Sequence, residues 1–214
     1  MQAVLFDFDG TLVDTAPDLG YALNLQRARH GLEFLPDAAI RPYASHGSRG
    51  LLEIGFGLLP TDASFEAMRS EYLDLYTQVM TRQPVLFDGM ADALEGIEQR
   101  GLRWGIVTNK PRRFTMPMVE HMGLDVRAGA VISGDDAPQP KPSPQTLLLA
   151  CERMQIDPQT VLYIGDAERD IQAGKAAGMK TLVALFGYLA ATDNPQAWGA
   201  DGCIQQPQEL LAYL

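Results

Sequence analysis

The stretch Ala3–Thr11 reads AVLFDFDGT, and it indicates the fold class of the chain. Its first part, Ala3–Phe6, is an uninterrupted apolar run of strand length. Such a run is typical of a strand in a parallel sheet that helices cover on both faces. Asp7, Asp9 and Gly10 follow immediately. Because ligands of open parallel sheets bind beyond the carboxyl ends of the strands, we expect the two acids to lie in a binding site.

Four further apolar runs resemble the first one in lacking polar alternation. They are Leu102–Val107, Ala130–Ile132, Val161–Ile164 and Thr181–Leu185. Sequences with helical periodicity lie between them. Met90, Leu94 and Ile97, for example, share one face of a predicted helix. This alternation of strands and helices predicts an α/β fold built on a parallel sheet.

One long segment breaks the alternation. No strand is predicted between about Thr15 and Arg82, and we interpret this segment as a helical insertion after the first strand. Its second half has apolar residues at the three- and four-residue spacing of one amphipathic helix, namely Phe65, Met68, Tyr72, Leu75 and Val79. The predicted division is a helical cap of residues 15–83 and a core of residues 1–14 and 84–214.

Composition limits the expected partners and compartment. The chain has 214 residues and a formal net charge of -10, so nucleic acid and anionic membrane, which would repel it, are not expected partners. Its two cysteines, Cys151 and Cys203, lie far apart and lack the spacing of a metal site, which is typical of a reduced compartment. No signal-like segment or membrane-length apolar run is found. We expect a cytoplasmic monomer or homodimer.

The pair Asp7 and Asp9 suits a group transfer in two steps. One carboxylate can attack as a nucleophile, while the other protonates the leaving oxygen and later activates water. Gly10 would allow the backbone to approach a phosphate closely. Taken alone, an Asp-x-Asp pair after a strand is explained about equally well as an ordinary acidic turn.

Two later stretches carry residues that suit phosphate. Thr108 and Asn109 could donate hydrogen bonds to phosphoryl oxygens, although such a pair also caps helices. Lys141 is a compact positive charge whose flanking prolines stiffen the backbone. In isolation, a surface lysine in a proline-rich loop would be the simpler interpretation of Lys141.

A third stretch suggests a metal site. Asp166 follows an apolar run and would meet Asp7 at the same edge of the sheet. The Asp7 carboxylate, the Asp9 backbone carbonyl and the Asp166 carboxylate could supply oxygen ligands to Mg²⁺. Glu168 and Asp170 are expected to reach the metal indirectly or through water. Alternatively, Asp170 caps the next helix.

Together and in this order, these stretches resemble the four motifs of the haloacid dehalogenase-like hydrolases. Asp7–Thr15 resembles the first motif, Thr108–Asn109 the second, Lys141 the third, and Gly165–Asp166 with Asp170 the fourth. The resemblance covers essentially the whole chain. It implies a Rossmann-like core with strand order 5-4-1-2-3 and a helical cap inserted after the first strand. It also implies Mg²⁺ and a phospho-aspartate intermediate.

The resemblance assigns roles to individual residues. It implies that Asp7 is the nucleophile and Asp9 the general acid and base. Dehalogenases of this family generally lack the second aspartate of the first motif, so Asp9 favours phosphatase chemistry. Mg²⁺ would lie among Asp7, Asp9 and Asp166. The phosphoryl group would be bound by Gly10, Thr11, Thr108, Asn109 and Lys141.

The substrate is expected to be a small phosphate monoester. The overall resemblance is greatest to phosphoglycolate phosphatases, for which the Val107–Pro111 stretch VTNKP is typical. Two features favour instead the bacterial N-acetylmuramic acid 6-phosphate phosphatases: Gly187–Tyr188 followed by Asp193–Pro195 and Trp198–Asp201, and the stretch Ser45–Arg49. His46 and Arg49 are therefore candidate substrate-binding residues, with a solvated loop as the alternative interpretation of their stretch. Trp198 would face the ligand or, as the favoured alternative, anchor the core.

Two other classes of protein remain as alternatives. A phosphomutase of the β-phosphoglucomutase type would share all four motifs and return the phosphoryl group to a sugar instead of to water. A non-catalytic protein on the same fold would be indicated by loss of a motif residue. All of these residues are present: Asp7, Asp9, Lys141 and Asp166.

Overall fold

The computed structural model describes residues 1–214. Its strands are β1 (Ala3–Phe6), β2 (Val13–Asp14), β3 (Val85–Leu86), β4 (Arg103–Val107), β5 (Val131–Ile132), β6 (Val161–Gly165), β7 (Lys180–Ala184) and β8 (Gly202–Ile204). Its helices are α1 (Ala16–Arg29), α2 (Asp37–Ile40), α3 (Gly47–Phe56), α4 (Phe65–Val79), α5 (Met90–Gln99), α6 (Arg112–His121), α7 (Gln145–Met154) and α8 (Glu168–Ala176). Short 3-10 helices cover Arg41–His46, Pro158–Thr160, Pro195–Trp198 and Pro207–Tyr213. None of the helices combines the length and apolar character needed to cross a membrane.

Six of the strands form one parallel sheet in the order β5-β4-β1-β6-β7-β8. The α/β prediction is confirmed, and each predicted apolar run matches a strand to within one residue at either end. Five of these strands correspond, in chain order, to the five predicted ones: β1, β4, β5, β6 and β7. Numbered 1 to 5 in that way, they lie in the expected order 5-4-1-2-3, which is β7-β6-β1-β4-β5. The sixth strand, β8, extends the sheet beyond β7 and was not predicted, because three residues are too few to show a periodic pattern.

The strand register determines where the site can form. Phe6, the last residue of β1, pairs with Ile106 on one side and with Ile164 on the other. The carboxyl ends of β1, β4 and β6 are therefore level. Residues that follow these strands must lie next to one another at one edge of the sheet.

The predicted helical insertion is present between β2 and β3. These two strands pair antiparallel, with Val13 opposite Leu86, so the chain enters and leaves the helical segment side by side. α4 begins at Phe65 as predicted, and of its five periodic apolar residues only Met68 is not fully buried. α1 packs against both α3 and α4. The pairing lies at the predicted ends of the cap, and the domain division itself stays a prediction.

The polar stretch Ser45–Gly50 is not a solvated loop. Its first residues end a 3-10 helix, and α3 starts at Gly47. A Cβ atom on Gly50 would lie 2.8 Å from the Tyr43 carbonyl oxygen, so glycine here permits close backbone packing. Buried Leu51 and Leu52 anchor the first turns of α3. The loop interpretation failed because a polar, glycine-rich composition can also belong to tightly packed helical turns.

The sheet and the helical segment share one hydrophobic core. A single cluster of 36 buried residues runs from Val4 and Phe6 in β1 to Leu51 in α3 and Tyr72 in α4. A second cluster of 14 residues, which includes Leu5, fills the space under α7 and α8. β1 is thus covered on both faces, as its uninterrupted apolar sequence predicted.

Candidate active site

Three strand ends bring the predicted residues together. Asp7 directly follows β1, Thr108 follows β4 and Asp166 follows β6. All three side chains are buried. Lys141 arrives from the loop before α7 and is also buried. These four residues come from positions that are far apart in sequence, and the level strand register makes them neighbours.

The centre of the site is a group of three carboxylates. Asp7, Asp166 and Asp170 each offer one oxygen atom within 4.8 Å of the others. Burial raises the pKa of Asp166 to about 7, and the nearby charges of Asp7 and Asp170 add to the effect. Burial also raises the pKa of Asp7 to about 6 against the attraction of Lys141. The site therefore contains more negative charge than the neighbouring cations balance.

The oxygen atoms of this group fit a divalent cation. Asp166 Oδ1 is buried and has no hydrogen-bond partner, whereas Oδ2 accepts hydrogen bonds from Ser45 Oγ at 2.8 Å and from Tyr188 N at 2.9 Å. Hard cations such as Mg²⁺ bind carboxylate oxygens of this kind. Asp170 is less available, because its two oxygens bind Lys141 Nζ at 2.7 Å and Ala167 N at 3.1 Å. Asp170 thus serves both as a cap of α8 and as a partner of Lys141.

Lys141 is held as a cation beneath the site. Its Nζ lies 2.9 Å from Asp7 Oδ1 and 2.8 Å from Tyr163 Oη, in addition to its contact with Asp170. Burial alone would lower the pKa of Lys141, but the charges of Asp170 and Asp7 outweigh burial and raise it. The lysine therefore keeps its charge next to Asp7.

Asn109 positions Lys141. Its Nδ2 donates to the Lys141 carbonyl oxygen at 2.8 Å, and its Oδ1 accepts from Lys141 N at 2.9 Å. One hydrogen of Nδ2 is left over and Asn109 lines the cavity, so the phosphoryl contact that the sequence suggested stays a prediction. Thr108 Oγ1 accepts a hydrogen bond from Lys110 N at 3.1 Å, which leaves its own hydrogen available to a phosphoryl oxygen.

Gly10 packs closely against the Asp166 carboxylate. It has a φ of 84°, and a Cβ atom there would overlap the Asp166 carboxylate. Neither Gly10 nor Thr11 lines the cavity above the carboxylates, and Thr11 Oγ1 is buried without a partner. The phosphate contacts expected of Gly10 and Thr11 stay a prediction.

We expect Gly10→Ala to disable the site far beyond its effect on backbone strain. A left-handed conformation costs a non-glycine residue about 1–2 kcal/mol, and the added methyl group would also displace Asp166. Gly123→Ala is the matched control, since Gly123 has a φ of 65° and no neighbour within 4 Å of its Cβ position. Melting temperatures and phosphatase rates of both variants test this. Equal activity losses in the two variants would contradict the proposed packing role.

A cavity of about 960 Å³ opens above the carboxylates. Asp7, Asp9, Thr108 and Asn109 line it from the sheet edge, and His46 and Arg49 line it from the helical segment. The positively charged lining residues are Arg49, Arg69, Lys110, Arg113 and Arg169. The acidic lining residues are Asp7, Asp9, Glu53 and Glu66. The charged side chains of the cavity therefore nearly balance, and the five cations give a chain of negative net charge a region that suits an anionic ligand.

Two residues considered on sequence grounds lie elsewhere. Glu168 is exposed in the first turn of α8, where it accepts a hydrogen bond from Gln172, and does not belong to the carboxylate group. Trp198 is partly exposed in a short 3-10 helix beside α8 and does not line the cavity.

The sequence interpretation missed three residues of the site. Lys110 Nζ lies 2.8 Å from Asp9 Oδ1. Arg169 Nη2 donates to the Ser45 carbonyl oxygen at 2.9 Å, which joins the fourth motif to the helical segment. Lys110 and Arg169 stand inside the quoted motifs, and that position was the available signal. Ser45 stands in the stretch Ser45–Arg49, but its contact with Asp166 was not predictable, since it depends on how the helical segment packs.

Comparisons with known proteins agree with this site. The family model described as "Haloacid dehalogenase-like hydrolase" matches residues 4–184. The chain is 42% identical to an N-acetylmuramic acid 6-phosphate phosphatase of Pseudomonas aeruginosa, covering 100% of this chain and 95% of the relative. It is 41% identical to a phosphoglycolate phosphatase of Xanthomonas campestris pv. campestris, covering 98% of this chain and 94% of the relative.

A solved structure agrees as well. A haloacid dehalogenase-like hydrolase from Bacteroides fragilis superposes with a TM-score of 0.82 at 29% identity and covers 98% of this chain and 99% of that one. The four motifs, the carboxylate group at the sheet edge and these similarities over the full length lead to one conclusion. The protein belongs to the haloacid dehalogenase-like hydrolase family and is one of its phosphatases.

Proposed function

We propose that the protein is a Mg²⁺-dependent phosphatase that uses Asp7 as nucleophile and acts on a sugar-sized phosphomonoester bearing a carboxylate. N-acetylmuramic acid 6-phosphate is the leading candidate. The observation that carries the chemistry is the buried group of Asp7, Asp166 and Asp170 beside Lys141. The proposed substrate class is supported by the size of the cavity above this group and by the five Arg and Lys side chains in its lining.

Asp7 and Asp166 would hold the metal through their carboxylates, and Asp9 through its backbone carbonyl. The buried, unpartnered Asp166 Oδ1 supports this assignment. When bound, Mg²⁺ would neutralise charge on the phosphoryl oxygens and lower the repulsion between substrate and Asp7. Lys141 would add a second positive charge on the opposite side of Asp7.

The first step is an in-line attack on phosphorus. Asp7 Oδ1 is occupied by Phe8 N at 2.7 Å and by Lys141 Nζ, whereas Oδ2 has no hydrogen bond and Asp7 lines the cavity. Asp7 Oδ2 forms the new bond to phosphorus as the bond from phosphorus to the alcohol oxygen breaks. Asp9 donates a proton to the departing oxygen, so that the alcohol leaves neutral.

The second step releases phosphate. Asp9, now a carboxylate, accepts a proton from water as the water oxygen attacks phosphorus. The bond between phosphorus and Asp7 breaks, and the Asp7 carboxylate is regenerated together with inorganic phosphate. The Thr108 hydroxyl hydrogen is available to a phosphoryl oxygen in both steps.

The cavity favours the larger of the two substrates that the relatives' names suggest. Ligand pockets of roughly 300–1,000 Å³ enclose molecules of drug size, and a cavity of about 960 Å³ is at the upper end of that range. A two-carbon phosphoglycolate would leave most of it empty, whereas an acylated sugar phosphate would extend from Asp7 to Arg49. Phosphoglycolate is the second candidate, because a phosphatase named for it is 41% identical to this chain.

Phosphate release from a panel of phosphomonoesters tests the proposal. We expect the highest kcat/KM with N-acetylmuramic acid 6-phosphate and a much lower value with phosphoglycolate. The reverse order would assign the second candidate. Conversion of a sugar phosphate to an isomer without net phosphate release would indicate a phosphomutase and contradict the proposed hydrolysis.

Arg49→Ala is expected to impair the carboxylate-bearing substrate selectively. Arg49 lines the cavity, is exposed and forms no ion pair within the protein. Losing its contact with a desolvated carboxylate costs on the order of 2–5 kcal/mol. The measurement is the ratio of kcat/KM losses for the sugar phosphate and for 4-nitrophenyl phosphate on one preparation, with Arg49→Lys as the charge-conserving control. Equal losses would show that Arg49 does not read the leaving group, and His46→Ala would be tested next.

The remaining assignments are also proposals. We propose that residues 15–83 act as a cap over a core of residues 1–14 and 84–214, supported by the β2–β3 pairing at the boundary. A cytoplasmic location is supported by Cys151 and Cys203, which are both free thiols. We propose a monomer or homodimer, and the negative net charge supports the absence of nucleic-acid partners.

A further inference from the structure

The Asp9 carboxylate is held through one of its two oxygens. Thr15 Oγ1 donates to Asp9 Oδ1 at 2.6 Å, and Lys110 Nζ donates to the same oxygen at 2.8 Å. Oδ2 takes part in no hydrogen bond or ion pair, and Asp9 lines the cavity. Two donors on one oxygen fix the plane of the carboxyl group and leave the other oxygen for proton transfer.

Lys110 is itself rigidly placed. Its side chain is only 8% exposed. Its backbone N–H binds Thr108, and its carbonyl oxygen accepts from Gly134 N at 3.0 Å and from Thr115 Oγ1 at 3.1 Å. A lysine with a fixed backbone and a nearly buried side chain has little freedom to follow a ligand in the cavity.

An aromatic ring defines the other side of the Lys110 ammonium group. Lys110 Nζ lies 4.8 Å from the centroid of the Tyr76 ring, within the range of a cation–π contact. Tyr76 is buried in α4, packs with its ring tilted against Phe114 and directs its hydroxyl to Met118 Sδ in α6. The ring is therefore fixed between the helical segment and the core, and it places the ammonium group against Asp9.

We infer that Lys110 is a positioning residue for the general acid and base. It holds Asp9 by Oδ1 so that Oδ2 exchanges the proton with the leaving oxygen and with water, and Tyr76 holds Lys110 in turn. The contacts separate this role from that of Lys141, whose ammonium binds Asp7 and Asp170 at the nucleophile. The inference rests on the proposed role of Asp9.

The leaving group distinguishes this role from phosphate binding. An alkoxide leaves only if it is protonated, whereas 4-nitrophenolate leaves without help from an acid. kcat/KM reports steps up to phosphoryl transfer, so the later hydrolysis of the phospho-aspartate does not contribute. For Lys110→Met we expect kcat/KM with n-propyl phosphate, which carries no second anionic group, to fall roughly 10- to 100-fold, a part of the full effect of an acid catalyst. The fall with 4-nitrophenyl phosphate should be much smaller.

Control variants make the test decisive. Lys110→Arg should restore much of the activity on n-propyl phosphate, since it restores a donor to Asp9 Oδ1. Tyr76→Leu removes the ring and should reproduce part of the Lys110→Met loss. In an Asp9→Asn background, Lys110→Met should cost little more, because the two residues act as one unit. Melting temperatures identify any variant that fails to fold, and the remaining variants then carry the comparison.

Three outcomes would overturn the inference. Equal losses on the two substrates in Lys110→Met would show that Lys110 binds the phosphoryl group. No loss on either would show that Thr15 alone is sufficient to hold Asp9. Full additivity with Asp9→Asn would show that Lys110 acts through another group. If Asp9→Asn itself lowers kcat/KM equally for both leaving groups, the proposed acid role of Asp9 fails first, and the role of Lys110 fails with it.

Discussion

Asp7→Asn is expected to abolish phosphatase activity while leaving the fold intact. An amide is a very poor nucleophile towards phosphorus, so the loss should reach about four to six orders of magnitude, the range seen when a nucleophile is removed. The fold should survive because Lys141 keeps Asp170 as a charged partner at 2.7 Å. The measurement is phosphate release at saturating Mg²⁺, with circular dichroism and melting temperature as folding controls.

Acid-quenched reactions with phosphorus-labelled substrate provide a second measurement. The native protein should carry label on Asp7 during turnover, and Asp7→Asn should carry none. Mass spectrometry must first exclude deamidation of the new asparagine, which would regenerate the native residue. Near-normal turnover in a pure Asp7→Asn sample would falsify the covalent mechanism.

Metal removal is expected to have the second large effect. Exhaustive chelation should stop turnover, because no metal then offsets the combined charge of Asp7, Asp166 and the phosphoryl group. Added Mg²⁺ should restore it. Asp166→Asn should be inactive at any Mg²⁺ concentration. In the native protein Mg²⁺ should raise the melting temperature by mass action, and in Asp166→Asn this increase should be lost. Full activity after complete metal removal would contradict the assignment.

The metal-free protein should also show an unusual pH dependence of stability. The pKa of Asp166 is about 7 in the folded protein and 3.8 ordinarily, so the folded state binds this proton more tightly than the unfolded state. Ionised Asp166 therefore destabilises the metal-free fold above pH 7, by on the order of 4 kcal/mol. The penalty shrinks as the pH falls from about 7 towards 4 and is lost below about 3.8, where the unfolded state is protonated as well.

Asp166→Asn removes this penalty and should be more stable than the native protein at pH 8 in chelator, despite its inactivity. The difference in melting temperature should narrow at pH 5. Asp92→Asn is the matched control, since Asp92 is an exposed carboxylate on α5 and its loss changes the net charge equally. A native protein as stable as Asp166→Asn at pH 8 would show that the buried carboxylate carries no such penalty.

Local sequence patterns predicted most of the framework. The apolar run Ala3–Phe6 became β1, buried on both faces, and the spacing from Phe65 to Val79 became α4. Burial along a strand or helix repeats with the period of that element, so it is visible in a single sequence. The placement of Asp7 and Asp166 at strand ends was predictable for the same reason, once the strands were known to be parallel.

The stretch Ser45–Gly50 shows that local sequence patterns do not predict every part of the structure. The stretch has no apolar period, and a loop was a reasonable alternative, yet it forms helical turns against buried Leu51 and Leu52. Those turns place Ser45 on Asp166 and bring Arg49 to the cavity. This arrangement depends on how the helical segment packs on the sheet, which no local pattern records.

The sequence by itself determined the parallel α/β fold, the helical insertion and the identity of the acids at the strand ends. Only the tertiary structure decided which side chains meet: Gly10 against Asp166, Asn109 against the Lys141 backbone, and Lys110 against Asp9. The physical reason is the range of the interactions. Periodic burial is set by neighbours within one helix or strand. These contacts instead join residues far apart in the chain, and they depend on strand register and on the pairing of buried charged groups.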